Sequence, residues 1–198
     1  MSDIIRERTV VLCKPDTVKR GLIGEIISRF EKAGLKIVAA KMVWVNANIA
    51  KKHYPESRTE LLEGIGRKTL ETYEKYGKDP KEQFGQMSAL EIGKMVNSWN
   101  IDFITSGPVM ALLLEGAHAI DNVRMIVGNT LPTFAQPGTI RGDYSVDSPA
   151  LANERKRAVR NLVHASGNAP EAKYEAPLWF KKTEIHDYKR SDEDTMFA

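Results

Sequence analysis

Cysteine is almost missing from this chain: Cys13 stands alone among 198 residues. A single cysteine forms no internal disulfide and no thiolate metal cluster. Its neighbours Val10, Val11 and Leu12 are apolar, which marks it as a small core residue. Long apolar runs are missing too. No stretch could span a bilayer, and Met-Ser-Asp-Ile-Ile-Arg-Glu-Arg at the start has no apolar signal core. The expectation is a soluble, cytoplasmic protein. There is little excess of charge. Lys+Arg number 29 against Asp+Glu 26, a net of +3. That suits an anionic ligand in a local basic pocket and argues against a dedicated nucleic-acid surface. Repeats and low-complexity linkers are lacking, so one domain over 1–198 is expected.

What is present is ordinary for a globular chain, with 42% hydrophobic and 28% charged residues. Residues 9–13 form a short β-branched run ended by Lys14-Pro15-Asp16, a buried strand entering a turn. Leu22, Ile23, Ile26, Ile27 and Phe30 recur at helical spacing, and Gly34 stops that helix. A second strand is expected over 35–45 and a short helix over 46–54. Ser57 with Glu60, and Ser88 with Glu91, have capping-box spacing, so 57–100 is predicted as helices joined by a loop. A third strand is expected at 108–114, a helix at 117–127 ended by Gly128, and an ordered loop at 131–138. A fourth strand is expected at 139–145, with helical segments at 150–159 and 171–180. There is no G-x-G-x-x-G after the first strand. The order β-α-β-α-β-α-β predicts an α+β fold: a ferredoxin-like split βαβ sandwich whose four-stranded antiparallel sheet carries helices on one face.

Two chemical motifs fail on inspection. Gly64-Ile65-Gly66-Arg67-Lys68-Thr69 looks like the end of a phosphate-binding P-loop, but its lysine is not adjacent to Gly66 and no strand precedes it. A surface helix with a glycine kink is the better reading. The histidines, 53, 118, 164 and 186, lack the short helical spacing of paired metal ligands, so no protein-held metal is expected. His164 is left. A histidine after an apolar pair is more often packed than catalytic, but Asn161 before it and Ser166-Gly167 after it leave room for a bulky group. Neutral imidazole is a competent nucleophile near pH 7, and nearby cations would favour that neutral form.

These residues carry a resemblance. E-R-T-x-x-x-x-K-P-D, R-G-L-x-G-E-I, S-G-P-V, R-x-x-x-G-x-T, P-G-T-I-R-G-D, N-x-x-H-x-S and the closing E-A-P-L-W-F occur in the order found in nucleoside diphosphate kinases. The resemblance covers roughly 5–54 and 105–182. It implies transfer of the γ-phosphate of ATP, GTP or another nucleoside triphosphate to a diphosphate, by ping-pong through a phosphohistidine at His164. It implies magnesium carried mainly on the nucleotide phosphates, and a homo-oligomer built on dimers. Position by position, Lys14 resembles the lysine reaching the sugar hydroxyl and the transferred phosphate. Arg124 and Thr130 resemble the β-phosphate ligands, Arg141 the arginine beside the transferred group, and Asn161 the ribose asparagine. Tyr54 resembles the tyrosine beside the nucleophile, and Ser166 with Glu175 its hydrogen-bonded support. The alternative function is a nucleotide-binding regulatory protein on the same fold.

Against the family's common short form, 57–100 reads as a helical insertion, 145–159 as a second insertion, and 183–198 as a C-terminal tail. The acid-rich end, 191–198, has two readings, disordered or folded onto a neighbour. The phosphate and ribose subsites read as intact and the base subsite as remodelled. Leu61, Leu62, Tyr73, Tyr76 and Phe84 are the candidates for one face of the base. Ala158 falls where the family often has a larger apolar side chain on the other face.

Overall fold

The computed structural model describes residues 6–197. The first five residues, and Ala198 of the expected tail, lie outside them. Four strands, β1 (Arg6–Cys13), β2 (Lys36–Trp44), β3 (Pro108–Ala117) and β4 (Val163–Ala165), form one antiparallel sheet in the order β2-β3-β1-β4. The expected ferredoxin-like sandwich is therefore present. Between β1 and β2 run α1 (Pro15–Lys19) and α2 (Ile23–Lys32). Between β2 and β3 come α3 (Ala47–His53), α4 (Thr59–Lys75), α5 (Pro80–Phe84) and α6 (Ala89–Thr105). Then α7 (Ala119–Val127), α8 (Ile140–Tyr144) and α9 (Pro149–Glu154) precede β4, and α10 (Ala169–Trp179) and α11 (Glu193–Phe197) follow it.

The fourth strand is not where propensity put it. Residues 139–145 hold α8 instead, because Thr139 caps a helical turn by accepting the Gly142 N–H on its hydroxyl. The true fourth strand has three residues and is set by its pairing with β1, where Leu12 faces His164. The helices also cover both faces of the sheet, not one. Alternate residues of β1 and β3 point to opposite sides. Val11, Cys13, Leu112 and Leu114 pack against Phe30 of α2 and Val123 of α7. Val10, Leu12, Ala111 and Leu113 pack against Ala50 of α3, Ile104 of α6 and Trp179 of α10. Cys13 is fully buried in the first core, and burial pushes its thiol up to about 12, so it carries no thiolate near neutral pH.

Residues 57–100 hold a hairpin of two long helices, α4 and α6. Ser88 and Glu91 form the expected capping box of α6. Ser57 and Glu60 do not cap α4. That helix begins one residue later, after Arg58, with no side-chain cap. Gly64 and Gly66 lie inside α4, a continuous helix. Gly66 serves close approach: a Cβ there would sit 1.8 Å from the Ala89 carbonyl oxygen. Gly93 of α6 does the same from the other side, 1.9 Å from the Leu62 carbonyl oxygen. Over 145–159, helix ends at Glu154 rather than near 159, and Lys156 takes a left-handed φ of 49° that no helix continues. The tail folds onto its own chain. The His186 N–H donates to Val38 O, the Tyr188 hydroxyl to Ile37 O, and the Arg190 guanidinium to Leu35 O. Among the described residues no helix is long and apolar enough to cross a membrane.

Candidate active site

The turn that carries His164 is built by residues far apart in the chain. Leu162, two before His164, has a left-handed φ of 68° although it is not glycine, a conformation costing about 1–2 kcal/mol. Asp16 stabilises it. Its Oδ2 accepts the Leu162 N–H at 3.0 Å, while the Leu162 carbonyl accepts the Lys14 N–H at 2.8 Å and the Thr17 hydroxyl at 2.6 Å. This is what Lys14-Pro15-Asp16 does: it locks 161–163 so that Asn161 and His164 face one cavity. That cavity encloses about 950 Å³, within the range of small-molecule sites.

Glu175 orients the His164 ring. Its Oε1 lies 2.8 Å from His164 Nε2, and its Oε2 accepts the Ser166 hydroxyl at 2.7 Å. An ionised carboxylate only accepts, so Nε2 carries the hydrogen. Nδ1 is then the lone-pair nitrogen, with no hydrogen-bond partner among the described residues. The ring's pKa is well below the ordinary histidine value, first because burial opposes the imidazolium and then because Lys14, Arg141 and Arg124 repel it. His164 is thus held neutral, as its chemistry would need.

The expected residues converge on this cavity. Lys14, Tyr54, Arg124, Thr130, Arg141 and Asn161 all line it together with His164. Asn161 is the hub of the polar wall: its Oδ1 accepts from Lys14 Nζ and its Nδ2 donates to the Thr130 carbonyl, each at 2.8 Å. One lone pair and one N–H of that amide stay available to a ligand. Arg141 is buried and donates to the carbonyls of Asn161, Gly128 and Val163. Burial, helped by Arg124, brings its pKa down to about 10, so it remains a cation at neutral pH. Arg124 and Thr130 are exposed on the rim.

Lys14 is the titratable member of the set. Burial and the Arg141 charge bring its pKa down to about 8, with Asp16 opposing them. The ammonium is therefore lost as pH rises through about 8, and with it a positive charge on the cavity wall. The affinity of the cavity for an anionic ligand, followed as a pH profile of binding, should therefore fall above that pH. A profile flat to pH 10 would contradict the assignment.

Sequence spacing missed His53. Its fully buried ring stands edge-to-face against His164, with centroids 4.4 Å apart, and against Tyr54 at 4.6 Å. Trp179 of the closing L-W-F donates its indole N–H to His53 Nδ1 at 3.3 Å, which puts the ring hydrogen on Nε2. That atom is buried with no partner among the described residues. The His53 ring thus stands against both Tyr54 and His164, and burial raises the Tyr54 phenol pKa. His53, His164 and Glu175 are also the described residues whose donor atoms come close enough, within 4.8 Å, for one metal ion. The set does not suit magnesium, which needs an octahedron of oxygens. Both Glu175 oxygens are already engaged.

Leu61, Leu62, Ile65 and Thr69 of α4 also line the cavity, together with Leu131, Phe134, Pro149 and Val159. Tyr73 and Phe84 do not reach it. They stack at 5.2 Å in a separate small core with Ile92. Tyr76 is not on the lining either, and Ala158 is buried behind the wall, where Val159 takes its place.

The nucleoside diphosphate kinase family model matches residues 7–62 and 73–185. The chain belongs to the nucleoside diphosphate kinase family. A nucleoside diphosphate kinase of Pyrobaculum aerophilum is 48% identical over 179 residues, 90% of this chain and 97% of the relative. One from Borreliella burgdorferi is 40% identical over 192 residues, 96% of each. Among solved structures, an NDP kinase from Pyrobaculum aerophilum superposes with a TM-score of 0.86, covering 92% of this chain and all of the other at 46% identity. The Borrelia burgdorferi kinase, solved as a transition-state mimic with vanadate and ADP, gives 0.77 at 38% identity over 98% of each chain. The ten residues that the family model passes over, 63–72, lie in α4, on the wall of the outer cavity.

Proposed function

We propose that this nucleoside diphosphate kinase moves the γ-phosphate of a nucleoside triphosphate onto His164 Nδ1, and from there onto a nucleoside diphosphate. The carrying observation is the ring itself. It is neutral, tied at Nε2 by Glu175, and opens into a cavity bearing Lys14, Arg124 and Arg141. The lone pair on Nδ1 attacks phosphorus, the bond to the β-phosphate oxygen breaks, and the diphosphate leaves with that oxygen's charge. As Nδ1 bonds to phosphorus the ring gains positive charge, which Glu175 offsets through the Nε2 hydrogen. Charge on the transferred group is met by the cations, so catalysis is mainly positioning and fixed electrostatics. The second half-reaction runs the same steps backwards with another diphosphate as acceptor.

In this reading Arg124 and Thr130 hold the β-phosphate, Asn161 the ribose, Lys14 both the sugar hydroxyl and the transferred phosphate, and Arg141 stands beside the transferred group. Tyr54 and His53 brace the His164 ring, and Ser166 braces Glu175. The base lies against Leu61 and Ile65. Magnesium belongs on the nucleotide phosphates, where it would neutralise their charge. Its shell of phosphate and water oxygens asks the protein only for space. A homo-oligomer built on dimers is part of the proposal. Edge strand β2 leaves Met42 and Trp44 exposed. So is a cytoplasmic location, in keeping with nucleotide substrates.

The test is direct. Incubation with ATP labelled in the γ-phosphate should give a phosphoprotein stable to base and labile to acid. Several unlabelled diphosphates should each discharge it to the matching triphosphate. Stoichiometric nucleotide binding with no transferable label would instead favour the regulatory alternative.

A further inference from the structure

Arg58 is a cation on the cavity lining that the scheme above leaves unused. It sits just before α4, at the start of the insertion, and reaches across to the other side of the cavity mouth. There its Nη1 lies 2.8 Å from Glu171 Oε1. Glu171 is held in place. The Asn168 side chain caps α10 by accepting the Glu171 N–H at 2.9 Å, and Glu171 Oε2 turns back to accept the Gly167 N–H at 2.5 Å. A Cβ at Gly167 would lie 2.6 Å from that oxygen and 3.5 Å from Arg124 Nη1. The Glu171 carboxylate therefore stands near two guanidiniums, beside Gly167, which is three residues past His164. That is the kind of place an anionic substrate group would occupy.

The strengths of the competing contacts point to an exchange. The Arg58 side chain is 40% exposed and that of Glu171 16%. A partly exposed pair of this kind contributes little to stability. A polyphosphate offers Arg58 more charge and a bidentate set of oxygens. We infer that Arg58 is a further phosphate-binding residue, kept in reserve by Glu171 and handed to the phosphate chain when a nucleotide enters. The inference rests on the kinase reading above and adds a ligand that comes from the insertion. Glu171 then acts as a competing internal anion that keeps the empty site from binding stray phosphate tightly.

The discriminating measurement is the sign of two substitutions. ADP and inorganic pyrophosphate are titrated against wild type, Arg58→Ala, Arg58→Lys and Glu171→Gln. The rate of phosphoenzyme formation from ATP is measured alongside. Arg58→Ala should weaken binding and slow phosphorylation roughly tenfold to a hundredfold, with Arg58→Lys recovering part of the loss. Glu171→Gln should tighten pyrophosphate binding several-fold, because the rival charge is gone. If the pair only ties the rim together, both substitutions weaken binding, and the inference is overturned. It is equally overturned by Arg58→Ala binding within twofold of wild type, or by unchanged binding in Glu171→Gln. Should Arg58→Ala fail to fold, Arg58→Lys and Glu171→Gln decide by the same signs. A wild-type protein that takes no label from ATP would fail at the earlier step and remove the kinase reading itself.

Discussion

His164→Asn will form no phosphoenzyme, and its turnover will fall by on the order of 10^4-fold or more. Asparagine keeps one hydrogen-bonding group near Glu175 but offers no ring nitrogen to phosphorus. The loss should appear in kcat with little change in nucleotide affinity. Lys14, Asn161 and Arg141 are held by one another and by backbone carbonyls, not by the imidazole. Single-turnover mixing with labelled ATP, read beside an equilibrium titration with ADP, separates the two quantities. Appreciable label on the variant would place the acceptor elsewhere. The effect should far exceed that of removing one charge-stabilising contact, which costs about 3 kcal/mol or roughly a hundredfold.

Gly66→Ala will destabilise the protein by about 3 kcal/mol and raise KM, while Gly64→Ala will do neither. The added methyl at 66 collides with the Ala89 carbonyl oxygen at 1.8 Å, and backbone cannot swing aside as a side chain can. The hairpin of α4 and α6 must separate to admit it. Because α4 is a wall of the cavity, the separation reaches the nucleotide. Two residues away, a Cβ on Gly64 meets nothing within 4 Å. There alanine replaces glycine in the middle of a helix and should stabilise by about 0.5–1 kcal/mol. Thermal melting distinguishes the pair. The Gly66 variant should fall on the order of 10 °C and the Gly64 variant should rise slightly. Equal melting points would mean that the interhelical contact yields without penalty.

How much of this was legible beforehand depended on the range of the forces involved. Periodicity gave β1, β2, β3, α2 and α7, whose patterns run over many residues. It misplaced the last strand, because Val163–Ala165 is too short to have a pattern and owes its state to a partner near the other end of the chain. Thr139 and Ile140 read as strand by propensity. One hydroxyl accepting one N–H was enough to make that turn helical. The phosphate-side residues were legible through motif order, and the structure brings them to one cavity. His53 and Arg58 were not. Each matters only through a contact made over a long chain separation, His53 with Trp179 and Arg58 with Glu171. The outer lining of the cavity was the least legible part, since Tyr73 and Phe84, which looked available, pack against each other in a separate small core with Ile92.

The lock between Asp16 and Leu162 has a bearing on how the protein comes into being. Its two halves are 146 residues apart, and Lys14 and Asn161 are 147 apart. A chain growing from its N-terminus exposes the first half of the machinery long before the second exists. Three strands and the hairpin can assemble while the loop awaiting β4 is still open. Closing so long a loop costs entropy that grows only slowly with length, but that cost must be met before any local reward appears. Phosphotransfer competence is therefore an all-or-none property of the finished chain, and gain of activity during refolding should report the docking of β4 rather than the earlier collapse of the sheet.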